Sequence, residues 1–245
     1  MLRIAGVVLI AVLVTATPLL ACETSPPPAS DWSLANRWNS QGIGDMRSQN
    51  YACAEKDFSH AISLYRDDIR EKRFRATVDL ASALSQQAIA LSRLGKRRAA
   101  KKNWAESALL TSPASYEMNQ TNLRADRLFA QRRYREAFEL YREFVGTELT
   151  PGEYDNGAAG SVKRGIDLAL RGQYLNAARI FKKSAPSQAA YYLEGQAASI
   201  IHDYKWAYDA YIDELLAYID LPATGSPYGN AFDRPAMLRL VALTQ

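Results

Sequence analysis

One arrangement of small and aromatic residues recurs along this chain and restricts its fold more than any other feature. The first copy has spacings of 4, 9, 3, 4 and 3 residues and consists of Trp38, Gly42, Tyr51, Ala54, Phe58 and Ala61. Intervals of three and four residues place side chains on one face of a helix, and the interval of nine leaves room for a turn. A small residue lets two helices approach closely, and aromatic residues fill the space around their contact. The pattern therefore predicts a hairpin of two helices.

The same frame returns four times. Its later copies are Leu84, Ala88, Leu91, Ala100 and Trp104; Ala125, Leu128, Tyr134, Ala137 and Tyr141; Gly165, Leu168, Tyr174, Ala177 and Phe181; and Tyr191, Gly195, Tyr204, Ala207 and Tyr211. Equivalent positions are separated by 46, 37, 40 and 30 residues. This frame resembles the tetratricopeptide repeat, whose period is about 34 residues. The resemblance implies an all-α solenoid of about five helix-turn-helix repeats over residues 34–220.

The residues between these elements support an all-helical fold. Polar or glycine-containing turns separate the two helices of each repeat: Ser48–Asn50, Gly95–Lys96, Gln131–Arg132, Gly172–Gln173 and His202–Asp203. No long alternation of Val, Ile and Thr follows residue 30, so no strand is expected. Residues 221–245 begin as a Pro/Gly loop, and Asp233 and Pro235 then predict the start of a C-terminal helix that caps the solenoid.

The first 21 residues have the composition of an export signal. Arg3 precedes an apolar run from Ile4 to Val14, and small residues follow. The segment from Leu19 to Cys22 resembles the lipobox of bacterial lipoproteins, in which the cysteine is acylated and the signal is cleaved before it. This resemblance implies a mature protein with a lipid anchor at Cys22, a Ser/Pro-rich tether over residues 22–33, and a location at the outer membrane facing the periplasm.

A second fate of Cys22 is open. Ordinary cleavage after Ala16 leaves Cys22 without an acyl chain, and Cys53 is the only other cysteine. In an oxidising compartment these two cysteines could then form a disulfide bond. In either case the mature chain works outside the cytoplasm, as a lipid-anchored or a soluble periplasmic protein, and nucleic acid is not an expected partner.

Charge is distributed unevenly along the chain. Eleven basic residues oppose three acidic residues over Arg93–Arg135, whereas six acidic residues oppose one lysine over Pro186–Leu221. We define the basic patch as Lys96, Arg97, Arg98, Lys101 and Lys102. The patch is either a solvated helix face or a surface that attracts an acidic protein, a phosphate-bearing lipid or a polyanionic wall polymer.

No motif for catalysis or metal binding appears. His60 and His202 are the only histidines, and the HExxH, CxxC, EF-hand and GxSxG patterns are absent from the sequence. We therefore expect no enzymatic activity, no cofactor and no bound metal ion.

Tetratricopeptide proteins bind peptides in a concave groove lined by the first helix of each repeat, so the resemblance implies a set of groove residues. These are Asn36, Asn39, Arg47, Ser85, Arg93, Asn122, Asp126, Phe129, Tyr192 and Gln196. Asparagine side chains can pair with a peptide backbone. The alternative is that several of these residues pack neighbouring repeats, as we expect for the apolar Val162, Ile166 and Ala169 of the fourth repeat.

The fold and the compartment together suggest a function class. By analogy with outer-membrane lipoproteins built from such repeats, we expect a non-catalytic adaptor or scaffold that binds envelope proteins or extended peptides. An alternative is a carrier of a polysaccharide or cell-wall fragment, for which Phe129 and Tyr192 would supply stacking surfaces. A third and less favoured alternative is an enzyme.

Overall fold

The computed structural model describes residue 22 and residues 34–71, 76–111, 120–148, 158–184, 188–220 and 233–244. Over these ranges the chain forms eleven α-helices and no β-strand, which confirms the predicted all-α class. The helices are α1 (Leu34–Arg47), α2 (Tyr51–Arg70), α3 (Ala76–Arg93), α4 (Arg97–Leu110), α5 (Gln120–Ala130), α6 (Tyr134–Glu148), α7 (Ala158–Leu170), α8 (Tyr174–Lys183), α9 (Gln188–Ile200), α10 (Tyr204–Asp220) and α11 (Asp233–Leu243). The predicted signal peptide, residues 23–33 of the tether and the loop after residue 220 lie outside the described residues.

Consecutive helices form five hairpins, numbered one to five: α1 with α2, α3 with α4, α5 with α6, α7 with α8, and α9 with α10. All five predicted turns fall between the two helices of a hairpin. Each turn holds one residue in the left-handed region, namely Gln49, Gly95, Arg132, Gly172 and His202. In the third turn, Arg132 N donates to Phe129 O and Arg133 N donates to Leu128 O, and the other four turns repeat this pair of bonds. One way of satisfying the last carbonyl groups of a helix therefore recurs in every hairpin.

The two helices of a hairpin touch where a small residue faces an aromatic ring. A Cβ atom at Gly42 would lie 2.7 Å from the ring of Phe58, and a Cβ atom at Gly195 would lie 2.5 Å from the ring of Tyr211. Both rings are fully buried, so neither can move aside without disturbing the core. The close approach of the helices therefore requires glycine at these two positions.

The chain turns back so that hairpin five lies beside hairpin two. The hydroxyl oxygen of Tyr208 is 2.8 Å from Oγ of Ser92, and the Tyr208 ring meets Trp104 edge to face at 5.8 Å between centroids. Helix α11 packs against α4 and α10, which belong to these two hairpins. Sequence predicted that this helix covers the open end of a solenoid; instead it lies between two hairpins that are distant in sequence. No helix within the described residues is long and apolar enough to cross a lipid bilayer.

A disulfide bond joins Cys22 to Cys53, with 5.2 Å between the two Cα atoms. It closes a loop of 31 residues that contains α1 and links the segment before α1 to the buried face of α2. In the chain-entropy model, closing a loop of this length stabilises the fold by about 3 to 4 kcal/mol. The sulfur of Cys22 cannot hold a lipid by a thioether and bond to Cys53 at once. The structure thus shows the disulfide that the sequence left open as the second fate of Cys22, and lipidation of Cys22 stays a prediction.

Two glycines of α1 offer a matched test of the helix contact. We expect Gly42→Ala to lower the free energy of unfolding by about 1 to 3 kcal/mol, because the new methyl group overlaps the Phe58 ring. Gly44→Ala meets no atom within 4 Å. It should raise the stability by about 0.5 to 1 kcal/mol, because alanine loses less backbone entropy on folding. Urea denaturation followed by circular dichroism measures both changes, and equal effects of the two substitutions would contradict the proposed contact.

Candidate binding groove

A buried polar cluster lies where hairpins three and five meet. Asp126 Oδ1 accepts hydrogen bonds from the hydroxyls of Tyr141 and Tyr192, each at 2.5 Å. Nε2 of Gln196 donates to the hydroxyl oxygens of Tyr141 and Tyr192 at 2.8 and 2.9 Å, while the Tyr211 hydroxyl donates to Gln196 Oε1 at 2.8 Å. We call these five residues the tyrosine cluster. Its hydrogen bonds link α5, α6, α9 and α10.

Helix geometry brings these five side chains together from four elements. Tyr192 and Gln196 are four residues apart on α9 and therefore project from the same face. Tyr141 and Tyr211 each come from the second helix of a hairpin, at the position of the large aromatic residue in the repeated frame. All three tyrosines and Gln196 are fully buried, whereas Asp126 is half-buried. A buried polar group is tolerated when its hydrogen bonds are made, and here each phenol has a partner.

Arg239 of α11 covers this cluster. Its guanidinium carbon lies 4.7 Å from the centre of the Phe129 ring, and its Nη2 donates to the backbone oxygen of Asp126 at 3.5 Å. Burial by itself lowers the pKa of Arg239, but Tyr192, Tyr211 and Asp126 raise it by more, so the guanidinium stays charged. It thereby compensates the nearby Asp126 carboxylate, and both side chains are partly buried.

The groove predicted from the sequence is therefore filled over hairpins three and five. Asn122, Phe129, Tyr192 and Gln196 are buried, and Asp126 is engaged with tyrosines and lies under α11. Sequence reasoning placed these five side chains on an open surface, and the structure corrects that placement, since their contacts are with the chain itself. Val162, Ile166 and Ala169 of hairpin four are buried, as predicted.

The predicted groove residues that remain accessible lie on the first helices of hairpins one and two. Helices α1 and α3 contact each other. Asn39 and Ser85 are half-buried and Arg47 is exposed, whereas Oδ1 of Asn36 already accepts a hydrogen bond from the Tyr65 hydroxyl at 2.6 Å. Within the described ranges, Oδ1 of Asn39 has no hydrogen-bond partner. This oxygen is buried, so a peptide bound at the surface would meet other atoms of the half-buried Asn39 side chain.

The basic patch lies on the first turns of α4 and on the residue before it. Lys101 is half-buried and the other four residues are exposed. Lys96 forms an ion pair with Glu55 at 2.6 Å, and the guanidinium of Arg97 lies 5.8 Å from the centre of the Tyr208 ring. Two members of the patch thus contact the protein itself.

The acidic end of the chain faces this basic region within the same molecule. Arg93 lies 3.7 Å from Asp213, a partly exposed pair whose attraction is weakened by solvent. Burial raises the pKa of Asp213, and Arg93 lowers it by less. Nearby, Nε1 of Trp206 donates to the buried carboxylate of Glu194. The uneven charge read from the sequence is therefore partly balanced between hairpins two and five.

A small polar cleft of about 300 Å³ lies between α2 and α3. Its lining residues are Ser59, Ile62, Ser63, Arg66, Arg70 and Gln87. Arg66 pairs with Glu106 at 2.7 Å, Arg70 pairs with Asp67 at 2.8 Å, and Gln87 donates to Ser59 Oγ at 2.5 Å. Most of its polar groups are thus satisfied within the protein.

Sequence reasoning missed the role of Arg239, Tyr141 and Tyr211. The repeated frame marked the two tyrosines as packing residues, but it carries no information on the partners of their hydroxyls. In the part of the chain that the structure describes, no cluster of His, Cys, Asp and Glu side chains could hold a metal ion. The sequence matches no protein-family model, and a search of curated proteins finds no relative.

The tyrosine cluster should make the free energy of unfolding depend on pH in the alkaline range. Burial, and then the Asp126 carboxylate, raise the pKa of Tyr141 and Tyr192 well above the usual value, and burial raises the pKa of Tyr211 to about 12. Tyrosines of the unfolded chain ionise near pH 10, as is typical of free tyrosine at about that pKa. The unfolded state therefore loses protons first, and the free energy of unfolding should fall as pH rises above about 10.

Urea unfolding at a series of pH values from about 8 to about 11, together with tyrosinate absorbance, measures this dependence. We expect Tyr192→Phe to reduce the slope above pH 10, because one of the buried phenols is removed. A stability that stays flat over this range in the unchanged protein would show that these hydroxyls are not held as described.

Proposed function

We propose that this protein is an exported periplasmic adaptor of the bacterial cell envelope, built from five tetratricopeptide-like repeats, that binds a partner protein and catalyses no reaction. The observation that carries the proposal is the recurrence of a single hairpin design. The same turn closes all five hairpins, and a small residue faces an aromatic ring in hairpins one, four and five. Stacked hairpins of this kind present their first helices to extended peptides or partner helices.

Two features support export. The first 21 residues have the composition of a cleavable signal, and the two cysteines are joined in a disulfide. Disulfides persist in the periplasm and in other oxidising compartments but are rare in the cytoplasm. We therefore favour a mature protein that carries the Cys22–Cys53 bond and no lipid on Cys22.

The partly exposed Asn39 of hairpin one and the basic patch of hairpin two support protein binding. Asn39 is partly exposed on α1, and Arg98 and Lys102 project from α4 into solvent. Exposed positive charge increases the rate of encounter with an acidic partner more than the final affinity. An acidic or amide-rich segment lying along α1 and α3 fits both features.

The alternative carrier of wall fragments loses its support. Its two stacking residues were Phe129 and Tyr192, and both side chains are buried. Arg239 occupies the face of Phe129, and Tyr192 is bonded to Asp126 and Gln196. A sugar ring has no access to either aromatic ring in this arrangement.

Photocrosslinking in cells tests the adaptor proposal. We expect a photoreactive amino acid at Asn39 to capture a specific envelope protein, because this residue lies on the accessible part of the groove. Lys163 is an exposed residue of α7 in hairpin four and supplies the matched control position. Mass spectrometry of the crosslinked products identifies the partner.

Capture should be several-fold stronger from position 39 than from position 163. Loss of crosslinks from both positions, accompanied by turnover of a small substrate by the purified protein, would favour the enzyme alternative. Capture from position 163 alone would move the docking surface away from α1.

Intact mass measurement separates the two fates of Cys22. We expect the mature protein, purified without reductant, to contain no free thiol and to gain the mass of two hydrogen atoms on reduction. The Cys53→Ser variant should then expose one reactive thiol at Cys22. Added acyl mass on a chain that begins at Cys22 would instead establish the lipid anchor and overturn the disulfide assignment.

A further inference from the structure

Helix α11 inserts one face between hairpins two and five. Pro235, Ala236, Met237 and Leu240 are buried on that face, while Leu238 on another face is exposed. The side chain of Arg234 donates through Nε to the backbone oxygen of Ala108 on α4 at 3.0 Å. These contacts hold the helix so that Arg239 reaches α5.

The surface under Arg239 has the chemistry of a guanidinium site. The Phe129 ring presents its face to the cation at 4.7 Å, and the Asp126 backbone oxygen accepts from Nη2. The Asp126 carboxylate supplies negative charge, and its orientation is fixed by the hydroxyls of Tyr141 and Tyr192. A planar, delocalised cation suits an aromatic face and oxygen acceptors better than the compact ammonium of lysine.

Helix α11 depends on its neighbours for its position. It has eleven residues, and an isolated helix shorter than about 12 to 15 residues is marginal in water. It is connected to α10 only through residues 221–232, a segment rich in proline and glycine in the sequence. Contacts with α4, α5 and α10, rather than its own helical propensity, therefore keep it folded and in place.

We propose that Asp126, Phe129, Tyr192 and Gln196 belong to a recognition site for an arginine on a partner helix, and that α11 fills this site within the same chain through Arg239. The inference deepens the proposed adaptor function by assigning a second docking surface, distinct from Asn39. A partner helix with an arginine among small and apolar residues competes with α11 for this site. The residues that sequence reasoning assigned to a peptide groove then bind a helix of the chain itself until a partner replaces it.

A fluorescent peptide of residues 231–245 serves as the probe of this site. We expect it to bind the full-length Arg239→Ala protein at least tenfold more tightly than the unchanged protein, because the competing internal arginine is gone. The same peptide with Arg239→Lys should bind at least threefold more weakly, and with Arg239→Ala at least tenfold more weakly. Fluorescence anisotropy measures these affinities.

Leu238→Ala provides the matched control, because Leu238 lies on α11 but is exposed. This variant of the full-length protein should bind the probe with the same affinity as the unchanged protein. Equal binding of the arginine and alanine peptides, or no gain in affinity for the Arg239→Ala protein, would overturn the proposal.

Hydrogen exchange in the unchanged protein gives a second measurement if Arg239→Ala fails to fold. An excess of the 231–245 peptide with Arg239 should speed amide exchange in α11 of the protein. The same peptide with Arg239→Ala should not. A second outcome is a dimer in which two copies exchange α11. If the dimer fraction rises with protein concentration and the peptide does not change it, the site binds a second copy and the partner assignment is wrong. Crosslinking from Asn39 does not involve this arginine site. If crosslinking captures a partner but the peptide experiments fail, the arginine site is rejected and the adaptor proposal stands.

Discussion

The rest of the structure depends on the close approach of two helices within each hairpin. Where glycine faces a buried ring, as in Gly42 against Phe58 and Gly195 against Tyr211, the separation of the helix axes is set by the thickness of that ring. The turn of each hairpin ends its first helix in the same way, with one left-handed residue. Contact distance and turn together fix the shape of the unit that is repeated.

Stacking these units returns the end of the chain to its first half. Hairpin five reaches hairpin two through Tyr208, which contacts both Ser92 and Trp104. Helix α11 then packs against both hairpins and adds Met237 and Leu240 to the core. The fold consequently divides the groove expected of a repeat protein into an accessible part on α1 and α3 and a filled part on α5 and α9.

The filled part holds two charged side chains, Asp126 and Arg239, that are both partly buried. Taking charged groups even partly out of water is costly, so stability alone does not explain Asp126 and Arg239. A connected set of hydrogen bonds among Tyr141, Tyr192 and Gln196 fixes one arrangement of the surrounding helices. Such an arrangement can discriminate an arginine from other side chains, which is the property that the proposed recognition site requires.

The helices and turns of this protein could be predicted from the sequence. Helix geometry repeats every three to four residues, and polar or glycine-containing segments mark the short turns. Gly42, Phe58 and the five turns could be placed from spacing alone, and so could the all-helical class. The surroundings of Asp126 could not, because Tyr192 is 66 residues away and Arg239 is 113 residues away. Those contacts depend on the summed rotation from each hairpin to the next, which is set by side-chain packing across the whole stack. For the same reason the sequence left two fates open for Cys22, and only the tertiary structure brings Cys53 beside it within a disulfide bond.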